Sequence, residues 1–348
     1  MKHFIKTLPR NFKISVAIIA AVFLIILPNQ LEESPAEKVI PQKTDAFLSV
    51  SPKLKQKENQ YSIKKEINLV SEAHAASDLD LVSAYAAVDF DSGKVLAQKN
   101  FSQRISIASI TKVMTAVVAL DLASPDELFA YTENALSQPA TRLAFNPGDK
   151  LTLEELLNAI LLTSANDCAE AIREGIDEKY GGDVFIRAMN EKAKFLGLKD
   201  THFENPQGFD ARQHYSTVHD VAILTHYALT NYPLIAEIVV KEYGELPPTP
   251  THTRYEYLNN WNGLIGVYPG TTGVKIGNTD DAGNTTAVVS EREGKKIIAV
   301  VLGTAGVLQR DLRASELLDI GFLELGLSPI EVTEEQLLEK YGTWKYPN

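Results

Sequence analysis

Apolar positions in this chain change their spacing along its length, and each change predicts a different element. Ile14 to Leu27 is an almost unbroken apolar run that stops at Pro28. Between Gln30 and about Asp80 the apolar residues are scattered without period among Pro, Lys, Glu, Gln and Ser, which predicts a flexible linker over 29–80. Order is predicted to begin near Val82. Ala84 to Asp89 alternates, Asp91-Ser92-Gly93 is a turn signal and Lys94 to Gln98 resumes, the pattern of a β-hairpin. The period then becomes helical. Ser109 opens an apolar segment through Val113, Met114, Val117, Val118, Leu120 and Leu122, and Leu151 to Leu162 carries apolar residues at 153, 156, 157, 160 and 161. Ser164-Ala165-Asn166 interrupts that spacing and Ala169 to Ile176 restores it, so about 125–235 reads as mostly helical. After Gly270 the period changes again: Thr286 to Ser290 and Lys296 to Leu302 flank a turn at Glu291–Gly294, and an amphipathic helix comes next, from Leu312 to Phe322. Strands at both ends with helices between predict an α/β fold of the α+β kind, one sheet assembled from distant segments with an all-helical lobe inserted into it.

Charge changes the reading of the N-terminus. Lys2, Lys6, Arg10 and Lys13, with no acid among the first 13 residues, precede the apolar run, which is the layout of a secretory signal. The run is shorter than the ~20 residues that span a bilayer comfortably. No small-x-small cleavage site follows it at once, so residues 1–28 are expected to be a signal peptide or an N-terminal membrane anchor. Either way the positive flank holds that end in the cytoplasm and sends the remainder out, tethered to the membrane or secreted. A net charge of -11 argues against a nucleic-acid partner and against broad adhesion to anionic lipid. The single cysteine, Cys168, allows no intramolecular disulfide and reads as a small buried apolar residue. Residues 326–348, with Glu331, Glu334, Glu335 and Glu339, lack a basic amphipathic pattern and read as a tail.

The candidate chemistry begins at Ser109-Ile110-Thr111-Lys112. On a helix surface a residue and the third one after it are neighbours, so a serine hydroxyl and a lysine amine can come within hydrogen-bond reach. Ser-x-x-Lys alone is a weak string, and Ser62-Ile63-Lys64-Lys65 repeats it in a polar run with nothing to bury it. Ser164-x-Asn166 and Lys275-x-Gly277 come after it in that order, and the three together are the signature of penicillin-recognising serine enzymes. The longer string Gly273-Val274-Lys275-Ile276-Gly277-Asn278-Thr279-Asp280-Asp281-Ala282-Gly283 sharpens the third element. With Asp91-Ser92-Gly93-Lys94-Val95-Leu96, Asn146-Pro147-Gly148-Asp149, Asn205-Pro206-Gln207-Gly208, His214-Tyr215-Ser216-Thr217 and Leu317-Leu318-Asp319-Ile320-Gly321-Phe322, the chain resembles the serine-type D-alanyl-D-alanine carboxypeptidases, the low-molecular-weight penicillin-binding proteins, over about 81–325.

That resemblance implies a β-lactamase/transpeptidase-like fold, an antiparallel sheet flanked by helices. It implies a hydrolase of peptidoglycan stem peptides ending in D-Ala-D-Ala that β-lactam antibiotics also acylate, with no cofactor and no metal. Ser109 is then the nucleophile and Lys112 its base. Ser164 relays the proton to the departing amine, and Asn166 holds the substrate amide and steadies Lys112. The backbone N–H groups of Ser109 and Asn278 form the oxyanion site, and Lys275, beside Gly277, joins Arg310 in meeting the terminal carboxylate, with Arg313 the nearby alternative. A lysine serves as base only with a lowered pKa; Lys275 at close range and burial are both expected to lower that of Lys112. One position departs from the family: Ile276 stands where a threonine would donate to the substrate carboxylate. A hydrogen bond to a charged group is worth about 1.5–3 kcal/mol, so this residue predicts a weakened carboxypeptidase, a shift toward endopeptidase action, or binding alone. Glu154-x-x-Leu157-Asn158 imitates a β-lactamase deacylation string but precedes the Ser-x-Asn element, which disfavours a β-lactamase; His202, His214, His219 and His226 read as packing and surface residues.

Overall fold

The computed structural model describes residues 44–55, 57–64, 78–139 and 141–345, so the expected signal or anchor over 1–28 lies outside the described residues. The chain divides into units 1–45 and 46–348, and the second holds the sheets and the helical lobe. In chain order the elements are α1 (Thr44–Leu54), β1 (Ala84–Asp89), β2 (Val95–Lys99), α2 (Thr111–Leu122), β3 (Leu128–Ala130), α3 (Glu133–Leu136), β4 (Lys150–Thr152), α4 (Leu153–Asn158), α5 (Asn166–Tyr180), α6 (Val184–Phe195), α7 (Val218–Asn231), α8 (Pro233–Val239), β5 (Tyr243–Leu246), β6 (Glu256–Asn259), β7 (Thr271–Thr279), β8 (Gly283–Arg292), β9 (Lys295–Thr304), α9 (Val307–Glu324) and α10 (Glu334–Gly342).

The main sheet has the order β2-β1-β9-β8-β7, every pair antiparallel. It joins the first and last strands of the domain side by side, and Ala84 to Asp89 pairs with Leu302 to Ile297. Its central strands are apolar on both faces because both are covered. Ala87, Ala299 and Val301 turn toward α9, whose Leu317, Leu318 and Phe322 are buried there. Ala86, Val88, Ile298 and Val300 turn toward the helical lobe and its buried Val113, Val117 and Val221. Glu293 and Gly294, at φ 51° and 72°, make the two-residue turn between β8 and β9 at the expected place. The predicted α+β architecture is therefore observed, but the inserted lobe is not all-helical: β3 pairs with β4 and β5 with β6 in two small antiparallel sheets. β7 escaped a strand reading because Gly273, Lys275 and Gly277 break its apolar alternation; it is the edge strand, and it carries the third motif. The expected helix over 151–162 is a short strand, α4, and a wider π-type turn over Ala159–Thr163.

Two segments differ from the sequence reading. The linker expected over 29–80 contains α1, with Phe47, Val50 and Leu54 buried in the lobe's core. What holds it is remote in sequence: Lys192 Nζ donates to the Leu54 carbonyl (2.7 Å) and to Tyr227 Oη (2.8 Å) while pairing with Asp121 (2.8 Å). A buried cation thus meets the carbonyl at the helix C-terminus, where the helix dipole favours positive charge. Beyond α1, Tyr61 stacks on His226 at 3.6 Å between ring centroids. The tail expected over 326–348 contains α10, capped by a reciprocal Thr333–Gln336 box, with Leu337 fully buried. Leu54→Ala is expected to lower the unfolding free energy by about 2–5 kcal/mol, the usual range for a buried leucine. Urea unfolding checks this; a change below about 0.5 kcal/mol would restore the linker reading.

Candidate active site

Ser109 lies in a 3₁₀ turn, Ala108–Ile110, that feeds directly into α2. The turn is held in an unusual shape. Ala108 has φ 49°, and Gly208 and Gly277 press on it from two sides. A Cβ on Gly208 would fall 2.0 Å from the Ala108 carbonyl oxygen, and one on Gly277 would fall 2.7 Å from the Ser109 nitrogen. Only glycine permits this approach, which brings the β7 edge against the Ser109 amide. The Ser109 and Lys112 side chains, three residues apart, meet as the spacing predicts, with Nζ to Oγ at 2.8 Å.

Lys112 Nζ has two further neighbours, Asn166 Oδ1 at 2.8 Å and the Gln207 carbonyl at 2.7 Å. A neutral amine has two N–H groups and one lone pair. Two carbonyl oxygens occupy the N–H groups, so the lone pair is left for the Ser109 hydroxyl. Lys112 is fully buried, and its pKa is lowered to about 7, chiefly by that burial, against the opposing pull of Asp167. The expected share of Lys275 in this effect is not what lowers it. Desolvation lowers the pKa at Lys112, and the like charge of Lys112 instead adds to burial in pushing Lys275 well below its usual range.

Ser164 comes directly after the π-type turn and has φ 65°, a left-handed conformation that turns its side chain into the cleft. Asn166 begins α5. Its amide nitrogen donates to the Pro139 carbonyl and its backbone N–H to the Thr141 carbonyl. The segment supplying those carbonyls is fixed in turn by Asp167, which accepts from Leu143 N–H, Ala144 N–H and the Tyr131 hydroxyl. Gln207 is held by its side-chain donation to Glu170 at 2.7 Å. None of Gln207's backbone role, Asp167 or Glu170 could be read from residue type or spacing; the Asn205–Gly208 string alone marked the neighbourhood.

Ser109, Ser164, Asn166, Ile276, Gly277, Asn278 and Arg310 line one cleft of about 550 Å³. Lys275 is buried behind its wall and donates to the Ile276 carbonyl at 3.0 Å. Arg310 reaches the cleft, but its guanidinium forks Asp311 through Nε (2.7 Å) and Nη2 (2.8 Å), with a second Nη2 bond to the Trp261 carbonyl. Arg313, the alternative, pairs with Glu316 and Asp78 away from the cleft. His214 is buried, its pKa lowered to about 4 by desolvation, and bonds Thr111. Glu154 and Glu155 are outside the cleft; Glu155 caps α4.

Residues 70–306 match the sequence model of a family described as D-alanyl-D-alanine carboxypeptidase. The chain belongs to that family. Among curated members it is 32% identical over 248 residues to D-alanyl-D-alanine carboxypeptidase DacF of Bacillus subtilis (strain 168), covering 70% of this chain and 62% of that one. It is 29% identical over 285 residues to DacA of Escherichia coli (strain K12), covering 78% and 68%. The chain thus spans under two thirds of the DacF protein. Of solved structures, the Streptomyces K15 DD-transpeptidase superposes with a TM-score of 0.65 at 28% identity, over 70% of this chain and 97% of that one. The fold expected from the resemblance, an antiparallel sheet with helices on both sides, is the one shared with that solved structure.

If Lys112 is the base, the reactivity of Ser109 toward an acylating agent is expected to rise about tenfold per pH unit below about 7 and to level off above it, because the reactive form would be the neutral amine. A labelling rate that is flat between pH 5 and 9 would contradict this assignment. Gly277→Ala is expected to lower the same rate at least 10-fold, since the Ser109 turn must move to admit a Cβ; a labelling time course of the folded variant reads it.

Proposed function

We propose that this chain is a serine-type D-Ala-D-Ala carboxypeptidase acting on peptidoglycan stem peptides through an acyl-enzyme on Ser109, and that β-lactams acylate the same serine. The observation that carries the reading is the Ser109–Lys112 contact at 2.8 Å, with the lysine wholly buried and its pKa lowered to about 7. Lys112 takes the Ser109 proton as Oγ attacks the carbonyl of the penultimate residue. The oxyanion then forms beside the Ser109 and Asn278 backbone N–H groups. Collapse breaks the amide bond, and the departing amine leaves with the proton returned from Lys112 by way of the Ser164 hydroxyl. Water repeats the sequence in reverse, with Lys112 again accepting the proton, and releases the shortened peptide.

The family resemblance supports export, with residues 1–28 as signal or anchor placing this domain on the outer side of the cytoplasmic membrane. A second reading, endopeptidase action on cross-links, is favoured by Ile276, whose side chain enters the cleft without a donor. Incubation with a fluorescent penicillin is expected to give a covalent adduct that persists and is absent in Ser109→Ala; its absence from the wild type would defeat the proposal. Ile276→Thr restores a donor worth about 1.5–3 kcal/mol, so kcat/KM for release of D-alanine is expected to rise about 10- to 100-fold. No rise would refute the account of that position.

A further inference from the structure

The end of the cleft beyond the nucleophile includes residues that no family motif contains. Trp344, in the segment after α10, lines it together with Trp261, Ile276, Val307 and Arg310. The segment is fastened in place. Lys345 N–H donates to Asn259 Oδ1 at 3.1 Å, and Asn259 Nδ2 donates back to the Lys345 carbonyl, a two-way link to β6. The Trp344 ring packs on Tyr341 at 4.7 Å between centroids, and the Tyr341 hydroxyl donates to Asp311 Oδ2 at 2.8 Å, the carboxylate that Arg310 forks. One chain of contacts therefore runs from the C-terminal segment to the arginine at the cleft wall.

Electrostatics at this end depart from what a free carboxylate needs. Arg310 and Asp311 sum to zero charge, and both are nearly or fully buried. Lys275 is buried as well, and its ammonium form is disfavoured by desolvation. Ile276 adds no donor. Alongside the polar Asn284 and the paired Arg310, the cleft is lined here by two indoles, an isoleucine and a valine. Burying an anion without a compensating charge or donor is costly, whereas aliphatic carbon against indole is favourable.

We infer that Trp344 is a specificity-determining residue, and that the leaving amine this site prefers is an aliphatic one with no carboxylate beside its nitrogen, such as the side-chain amine of a second peptide strand or an amidated residue. The inference rests on the reading of Ser109 as an acyl-enzyme nucleophile and deepens its endopeptidase branch. In chemical terms the same amide bond breaks and the same proton returns to the amine; only the substituent on the departing nitrogen differs.

Three peptides with a common acyl part ending in D-alanine test it in the full chain: one continued by D-alanine with a free carboxylate, one by D-alanine amide, and one by the ε-amine of lysine whose α-groups are blocked. The two neutral leaving groups are expected to be cleaved with at least 10-fold higher kcat/KM than the acid. Trp344→Ala is expected to reduce that preference about 10-fold, mainly through KM for the neutral substrates, and Trp344→Phe to retain most of it. If Trp344→Ala does not fold, loss of the preference in Ile276→Thr, which leaves the C-terminal segment untouched, supports the electrostatic half, and an unchanged preference there overturns it. Faster cleavage of the acid by the wild type, or a Trp344→Ala variant that slows all three substrates equally, overturns the inference while leaving the acyl-enzyme reading intact. Failure to cleave any of them, with no penicillin adduct, overturns both.

Discussion

The site depends on keeping one amine out of water. Lys112 lies at zero exposure behind the cleft, and the cost of desolvating its charge lowers its pKa to about 7. Two carbonyl oxygens occupy its N–H groups and so set the direction of its lone pair. Each of those acceptors needs its own support. Asn166 is oriented by the Pro139 and Thr141 carbonyls, with Asp167 fixing the neighbouring Leu143 and Ala144 amides, and the Gln207 carbonyl is oriented by Glu170 on α5. Much of the helical lobe is thus a frame for one nitrogen.

A lowered lysine pKa also acts on the fold. Between about 7 and the usual 10.5, the unfolded chain binds a proton at Lys112 that the folded chain does not. Stability contributed by this group therefore increases with pH across that window, and the penalty is fully present below it. The Ala108 and Ser164 backbones, both left-handed without being glycine, add local strain at the two hydroxyls that face the cleft. Local stability at this site is offset against a serine hydroxyl and a lysine amine that are already in contact, and the sheet and lobe around them supply the apolar burial that sustains the cost.

The parts of this arrangement legible in the sequence are those set by short spacing. Ser109 and Lys112 meet because three residues make nearly one turn, and the α+β order of periods foretold the sheet joining both ends of the domain. Contacts made across the chain left no such trace. Lys192 reaches the Leu54 carbonyl across 138 residues, so the helix over 44–54 read as linker. Lys345 meets Asn259 across 86 residues, so α10, polar apart from Leu337, Leu338 and Tyr341, read as tail. Arg310 was expected just before a helix over 312–322, which instead begins at Val307, and its pairing was not legible, because Asp311 could equally have pointed to solvent.

Burial has opposite effects on the two halves of the cleft. For Lys112 it lowers the pKa to about 7, where the proposed mechanism needs a base. For Lys275, one wall away, the same burial and the charge of Lys112 itself weaken the cation that would otherwise attract an anion. Arg310 is forked by the carboxylate next to it, which Tyr341 holds in place. The apolar residues at this end of the cleft, Ile276, Trp261 and Trp344, come from three segments that meet only in the folded chain.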